Sequence, residues 1–225
     1  MEDLRAVLVK HGFRFKKQFG QNFISDSNLL KSIVAASGIS GEDTVVEIGC
    51  GAGTLTRALS ETAKKVYAFD IDAELKPVLA ETLAGCDNVE VIFRDFNKLD
   101  LKAFEGEIGR YAVVANLPYY ITTPLVTKLL EESEKVESLS IMVQEEVAER
   151  FCAREGTPEY GSDCLKGQRE NRQTGVEKFV LSAAERGFRR GEDYLRARPP
   201  ARQKRKNVPR GGAVRVFKQA KDAGK

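Results

Sequence analysis

The sequence predicts an α/β protein built on a doubly wound parallel sheet. Short apolar runs alternate with stretches of helical length from Thr44 to about Arg154, the pattern of strand–helix–strand units. A glycine run, Gly49-Cys50-Gly51-Ala52-Gly53, directly follows the first apolar run. Acids close the second and third runs, Asp70 and Asp95. In an open sheet of this kind, ligands sit beyond the carboxyl ends of the strands, near the point where strand order reverses.

The elements follow in order. Phe15 to Phe23 (FKKQFGQNF) is basic, aromatic and polar at once, and reads as a loop or extended arm. Asp26 or Ser27 caps a helix through Leu29, Leu30, Ile33 and Val34 that stops at Gly38. Thr44–Ile48 is a short buried strand, followed by the glycine run and a helix from about Thr54 to Ala63. Lys65–Asp70 is the second strand, with a helix from about Ala73 to Leu83. Val89–Phe93 is the third strand and Tyr111–Ala115 the fourth. A helix from about Pro124 to Glu132, a fifth strand over Leu139–Val143 and a helix from about Glu145 to Arg154 complete the series. There is no internal repeat.

Composition bounds the function. A chain of 225 residues with 42% hydrophobic content has room for one sizeable domain and an appendage. It has no apolar run of about 18 residues, and Met1 to Lys10 lacks a signal peptide's apolar segment. The expectation is a cytoplasmic protein without a membrane partner. Cys50, Cys86, Cys152 and Cys164 form no Cys-x-x-Cys pair and His11 is the single histidine, which argues against zinc and disulfides. The net charge of +3 hides an asymmetry: Ser162–Lys225 holds 18 Lys and Arg against 7 Asp and Glu, and Met1–Gly161 holds 18 against 26. A boundary therefore falls near Gly161.

The glycines and the strand-end acids predict a nucleoside site. Glycine after the first strand permits a tight turn and close backbone approach to a ligand. Asp70, 21 residues after Gly49, is placed to accept hydrogen bonds from a ribose diol, and Asp95 to accept one from an adenine amino group. A nicotinamide, a flavin or S-adenosylmethionine each carries such a nucleoside. The run Glu47-x-Gly49-x-Gly51-x-Gly53 lacks the Gly-x-Gly-x-x-Gly spacing of dinucleotide folds. S-Adenosylmethionine has no pyrophosphate and needs no anion cradle at the helix start, and Glu47 can help to order the loop facing its methionine portion. The methyl donor is favoured.

Asn116-Leu117-Pro118-Tyr119, at the end of the fourth strand, supplies a methyl acceptor site. The exocyclic amine of adenine is a poor nucleophile. An amide oxygen and a backbone carbonyl can accept its two N–H bonds, while proline fixes the carbonyl's direction. An aromatic ring can stack on a flipped-out base.

Taken together these segments resemble the ribosomal RNA adenine N6,N6-dimethyltransferases over roughly Phe15 to Gly161. Lys17-Gln18-Phe19-Gly20-Gln21-Asn22-Phe23-Ile24 is similar to the family's arm motif, Val46-Glu47-Ile48-Gly49-Cys50-Gly51 to its glycine loop, and Asn116-Leu117-Pro118-Tyr119 to its catalytic motif. Phe69-Asp70-Ile71-Asp72 resembles a motif that usually begins with Glu, and Arg94-Asp95 one that is usually Gly-Asp. Gln144–Arg150 matches the helix after strand five. The resemblance implies a Rossmann-like S-adenosylmethionine-dependent methyltransferase fold in residues 1–161, with an arm over 1–24. It implies cofactor contacts from Asn22, Ile24, Gly49, Gly51, Asp70, Asp95 and Asn116, and catalysis by Asn116, Leu117, Pro118 and Tyr119. RNA contacts fall to Lys16, Lys17 and Gln18. The implied reaction is double methylation of adenine N6 in ribosomal RNA of a small-subunit precursor, by a monomer. The Pro-Tyr context with Leu117 in the second position favours RNA over DNA adenine methylation. A non-catalytic RNA-binding assembly factor is the alternative from another class, and a dehydrogenase is more distant.

The resemblance ends at Tyr160-Gly161. The family continues with a Phe-x-Pro-x-Pro-x-Val-x-Ser segment, two closing strands and a small helical domain, and Ser162–Lys225 shows none of these. The fold is therefore expected to be truncated at its C-terminal strands, with a basic tail over 162–225 that is disordered or poorly packed and an uncovered edge on strand five. The tail also reads as a frame-shifted translation. With permitted codons, a one-base shift lets Leu181–Glu192 spell Phe-Pro-Arg-Pro-Ser-Val-Asp-Ser-Ala-Val-Val, the missing segment at a plausible distance. Gene sequencing is expected to show family sequence in a second frame after Gly161; an intact frame with none downstream overturns this reading.

Overall fold

The computed structural model describes residues 4–13, 23–143 and 213–218. Helix α1 (Leu4–Lys10) precedes α2 (Ser27–Ser37), β1 (Thr44–Ile48), α3 (Thr54–Ser60) and β2 (Lys65–Asp70). Then come α4 (Lys76–Thr82), β3 (Val89–Phe93), α5 (Leu101–Ile108), β4 (Tyr111–Asn116), α6 (Tyr119–Glu132), β5 (Val136–Val143) and β6 (Ala213–Lys218). The strands form one parallel sheet in the order β3-β2-β1-β4-β5-β6. From β1 the chain winds outward through β2 and β3, then returns to lay β4 on the other side. The crevice between β1 and β4 is thus the topological switch point, where this class of sheet binds ligands.

Local chemistry sets the element ends. Asp26 caps α2, its Oδ1 accepting from the Asn28 and Leu29 N–H groups at 2.8 and 3.2 Å, and Gly38 closes the helix in the left-handed region. The alternation of β1 splits its side chains between two cores. Val46 and Ile48 join Phe69, Tyr111, Val113 and Ile141 beneath α5 and α6. Val45 joins Val66, Val114 and Met142 beneath α2 and α3. Phe69 meets Phe96 and Phe104 edge-on, with ring centroids 5.0 and 5.4 Å apart.

Several expectations change. Helix α6 begins at Tyr119 and not near Pro124, because Pro118, extended at φ −60° and ψ 141°, is the residue that starts it. Helix α5 arises from a charged segment with Gly106 inside it; its Asp100 cap accepts from the Ala103 N–H at 3.0 Å. The sequence leaves the outer edge of β5 bare, and the structure corrects this. Residues Ala213–Lys218 pair with it in parallel, from Ser138↔Ala213 to Val143↔Lys218. Ala-Val-Arg-Val-Phe-Lys carries the period-two pattern of a strand, masked by the basic composition around it. The expected helix over Glu145–Arg154 and the remainder of the tail lie outside the described residues.

Candidate active site

The site starts at the end of β1. The N–H groups of Gly49 and Cys50 both donate to the Phe69 carbonyl, at 2.8 and 3.0 Å, turning the chain across the tip of β2. The Gly51 N–H donates to Asp70 Oδ2 at 2.8 Å, and the Asp72 N–H to Asp70 Oδ1 at 2.9 Å. Asp70 therefore organises the loop and keeps further lone pairs for a ligand. Gly51 has φ +53°, and a Cβ there would lie 2.6 Å from Cε1 of Phe23. Only glycine lets the Phe23 ring rest on the loop, and this contact brings the end of the arm, Phe23 and Ile24, to the wall of the cleft.

Facing that loop is the tip of β4. Asn116 is half-buried and registers with Met142 of β5. The Leu117 N–H donates to the Met142 carbonyl at 3.1 Å, and the Pro118 carbonyl accepts from the Ile121 N–H at 3.2 Å and the Thr122 hydroxyl at 2.9 Å. Both sides of the Leu117-Pro118 bond are thus pinned. A Cβ on Gly49 would stand 3.9 Å from the Asn116 carbonyl oxygen, so the two motifs approach within van der Waals reach.

Between them lies a cleft of about 390 Å³. Ile24, Gly49, Gly51, Asp70, Asp95, Asn116, Leu117 and Pro118, all singled out in the sequence, line it together. Tyr119 is the first residue of α6. Asn22, Lys16, Lys17 and Gln18 lie outside the described residues. Asp95 also caps a short 3-10 turn, its Oδ1 accepting from the Asn97 N–H at 3.0 Å. The structure adds wall residues that the sequence did not mark as site residues: Phe23, Ile71, Phe96, Asn97 and Tyr120. Ile71 and Phe96 each follow a strand-end acid, which is the signal that could have found them. Ile71 and Tyr120 are exposed apolar side chains at the cleft. Among the described residues, no group of three or more His, Cys, Asp and Glu is placed to hold a metal ion.

The electrostatics are unusual at Glu47. It lines the cleft yet is 1% exposed, and its Oε2 has no hydrogen-bond partner among the described residues. Burial pushes its carboxyl up to about 8; the adjoining Thr56 hydroxyl opposes this and the Asp70 charge adds to it. Thr56 Oγ1 itself completes no hydrogen bond of ordinary geometry among the described residues. Burial also raises Asp70, against the backbone N–H groups that favour its ionised form. The Cys50 thiol is pushed well above its ordinary range by burial first and then by Glu47 and Asp70, so it is an inert neutral group.

The family model for ribosomal RNA adenine dimethylase matches residues 12–167. The chain is 49% identical over 162 residues to the ribosomal RNA small subunit methyltransferase A of Geobacillus thermodenitrificans, covering 70% of this chain and 55% of that protein. It is 50% identical over 162 residues to the same-named protein of Ligilactobacillus salivarius, with the same coverage. It thus spans about half the length of the curated relatives it matches. Among solved structures, a dimethyladenosine transferase from Plasmodium falciparum superposes with a TM-score of 0.53 at 32% identity, over 62% of this chain and 50% of that one. The 23S rRNA methyltransferase ErmE superposes with a TM-score of 0.51 at 32% identity, over 57% of this chain and 50% of that one. Glycine loop, strand-end acids and the Asn116-Leu117-Pro118 tip meet at one switch point inside the matched span, and the chain belongs to the ribosomal RNA adenine dimethylase family.

Proposed function

We propose that this chain methylates adenine N6 in ribosomal RNA of the small subunit, twice per base, with S-adenosylmethionine as donor. The observation that carries the reading is the meeting of Asn116 with Gly49, Asp70 and Asp95 in one cleft. The cleft suits the donor at both ends. Asp70 and Asp95 offer acceptors for a ribose and an adenine, and Glu47, whose Oε2 has no hydrogen-bond partner among the described residues, offers a counter-charge for a cation. When bound, the donor supplies a methyl group on positively charged sulfur.

The chain's part is orientation. The Asn116 side-chain oxygen accepts one N6–H of the target adenine and the Leu117 carbonyl accepts the other. The amine's lone pair is then aimed, and positive charge growing on nitrogen is supported. Pro118 fixes that carbonyl through its restricted φ. Tyr119 stacks on the base, a contact worth roughly 1–3 kcal/mol. Ile24 and Asn22 hold the donor from the arm side, and Lys16, Lys17 and Gln18 take RNA phosphates. No strong general base is needed: N6 turns cationic and strongly acidic as it gains the methyl group, and its proton passes to solvent water.

The test is transfer of tritiated methyl to small ribosomal subunits lacking the native modification, beside naked ribosomal RNA and DNA. Label confined to adenine N6 of the RNA is the expected result. Binding to subunits that is equal with and without donor, and no transfer, replaces the enzyme with an assembly factor.

A further inference from the structure

We infer that Glu47 is a proton-linked counter-ion: it waits in the cleft as a neutral carboxylic acid and releases its proton to solvent as the cationic methyl donor binds. This rests on the donor proposed above. The geometry sets it apart from the other acids of the site. Asp70 and Asp95 both spend oxygens on backbone N–H groups. Glu47 lines the same cleft, is 1% exposed and leaves Oε2 without a hydrogen-bond partner among the described residues. A buried carboxylate with one oxygen unpaired is costly, and the adjoining Thr56 hydroxyl offsets only part of that cost, so the group stays protonated until a charge arrives.

No resident charge among the described residues relieves it. Its neighbour across the sheet on β2 is Ala68, and β4 carries no charged residue. The basic residue of α3, Arg57, points its guanidinium at the Thr82 and Ala84 carbonyls, 2.7 and 2.8 Å away. Lys31, the basic residue of α2, is exposed. The titratable groups nearby are Asp70, which opposes ionisation of Glu47, and the Cys50 thiol, held neutral by burial. With its carboxyl at about 8, Glu47 is mostly protonated at neutral pH. A donor carrying a permanent positive charge favours the ionised form. The step balances: the O–H bond of the carboxyl breaks, the pair stays on oxygen, and the proton passes to buffer.

The sign follows from linkage. The free protein holds a proton that the complex has lost, so affinity for the donor rises with pH and levels off near 8. Titration calorimetry with S-adenosylmethionine, repeated in buffers of different ionisation enthalpy, reads this directly. Near pH 7 close to one proton per donor is expected, with roughly a tenfold gain in affinity per pH unit below the plateau. Glu47→Gln is expected to remove both. A difference infrared spectrum of the unaltered protein gives a second reading, in which a carboxylic-acid carbonyl band disappears on adding donor. Donor binding without buffer dependence, a Glu47→Gln variant that keeps the proton release, or an unchanged carbonyl band overturns this inference alone. Absence of any donor binding removes the methyl-donor reading and this inference with it.

Discussion

Replacing Asn116 with alanine is expected to lower methyl transfer to ribosomal RNA by about 10²–10³-fold, the range for losing one aligned hydrogen-bond partner of a reacting group. Donor affinity should fall by less than about tenfold, because the groups proposed to hold the nucleoside stand on other elements, Asp70 at the end of β2 and Asp95 in the turn after β3. Stability should change little. Asn116 is half-buried, and the turn after it is held by the Leu117 N–H on the Met142 carbonyl, which the substitution leaves intact. Asn116→Asp keeps an acceptor at the same place and should retain more transfer than the alanine variant. Single-turnover rates with saturating donor, beside donor binding by calorimetry, separate the two effects. Transfer by the alanine variant at the unaltered rate would remove Asn116 from the reaction.

Much of this site is legible in the sequence, because a parallel sheet gathers its ligand-binding groups at strand ends. Glu47, Gly49, Asp70, Asp95 and Asn116 are far apart in the chain, yet each sits at or just beyond an apolar run. A reader who finds the runs also finds the cleft. The bounds of β1, β2 and β3 fall where the runs do, at Thr44–Ile48, Lys65–Asp70 and Val89–Phe93. What is not legible depends on contacts between distant residues. That Gly51 must be glycine because the Phe23 ring lies over it is a fact of packing, 28 residues apart in sequence. Helix α5 hides because Leu101, Phe104 and Glu105, its buried positions, include an acid, and an acid reads as solvent-facing. Strand β6 hides because a tail's basic composition outweighs six alternating residues. The missed protonation state of Glu47 has the same origin. A carboxyl's charge follows from its burial and its neighbours, and neither is visible one residue at a time.

Glu105→Ala is expected to cost about 3 kcal/mol of stability, which for a domain of this size lowers Tm by roughly 6–12 °C. Glu105 is 2% exposed and sits where α5, β4 and the turn from α6 to β5 converge. Its Oε1 accepts from the Tyr111 hydroxyl at 2.9 Å and from the Ser133 hydroxyl, and its Oε2 from the Glu134 N–H at 3.0 Å. The Lys135 ammonium donates to the Glu105 carbonyl at 2.6 Å. Removing the carboxyl takes the acceptor from three donors, one of them the phenol of a tyrosine that is 1% exposed and keeps only a 3.4 Å contact with the Ser133 hydroxyl. A buried donor without a partner costs more than the bond was worth. The position of the cluster links it to the site. The β4–β5 register shifts between Tyr111 and Ala112, so that Tyr111 faces Val136 while Ala112 faces Ser138. The Glu105 cluster braces that irregularity at the far end of the strand from Asn116. A slip of one residue would turn every β4 side chain to the opposite face, taking Asn116 out of the cleft. Thermal melting of Glu105→Ala beside Ser133→Ala, which removes one donor and should lose less, measures the cluster. A Tm for the Glu105 variant within about 2 °C of the unaltered protein, well short of the shift those lost hydrogen bonds predict, would show that solvent or a rearranged turn satisfies those donors, and that β4 keeps its register without them.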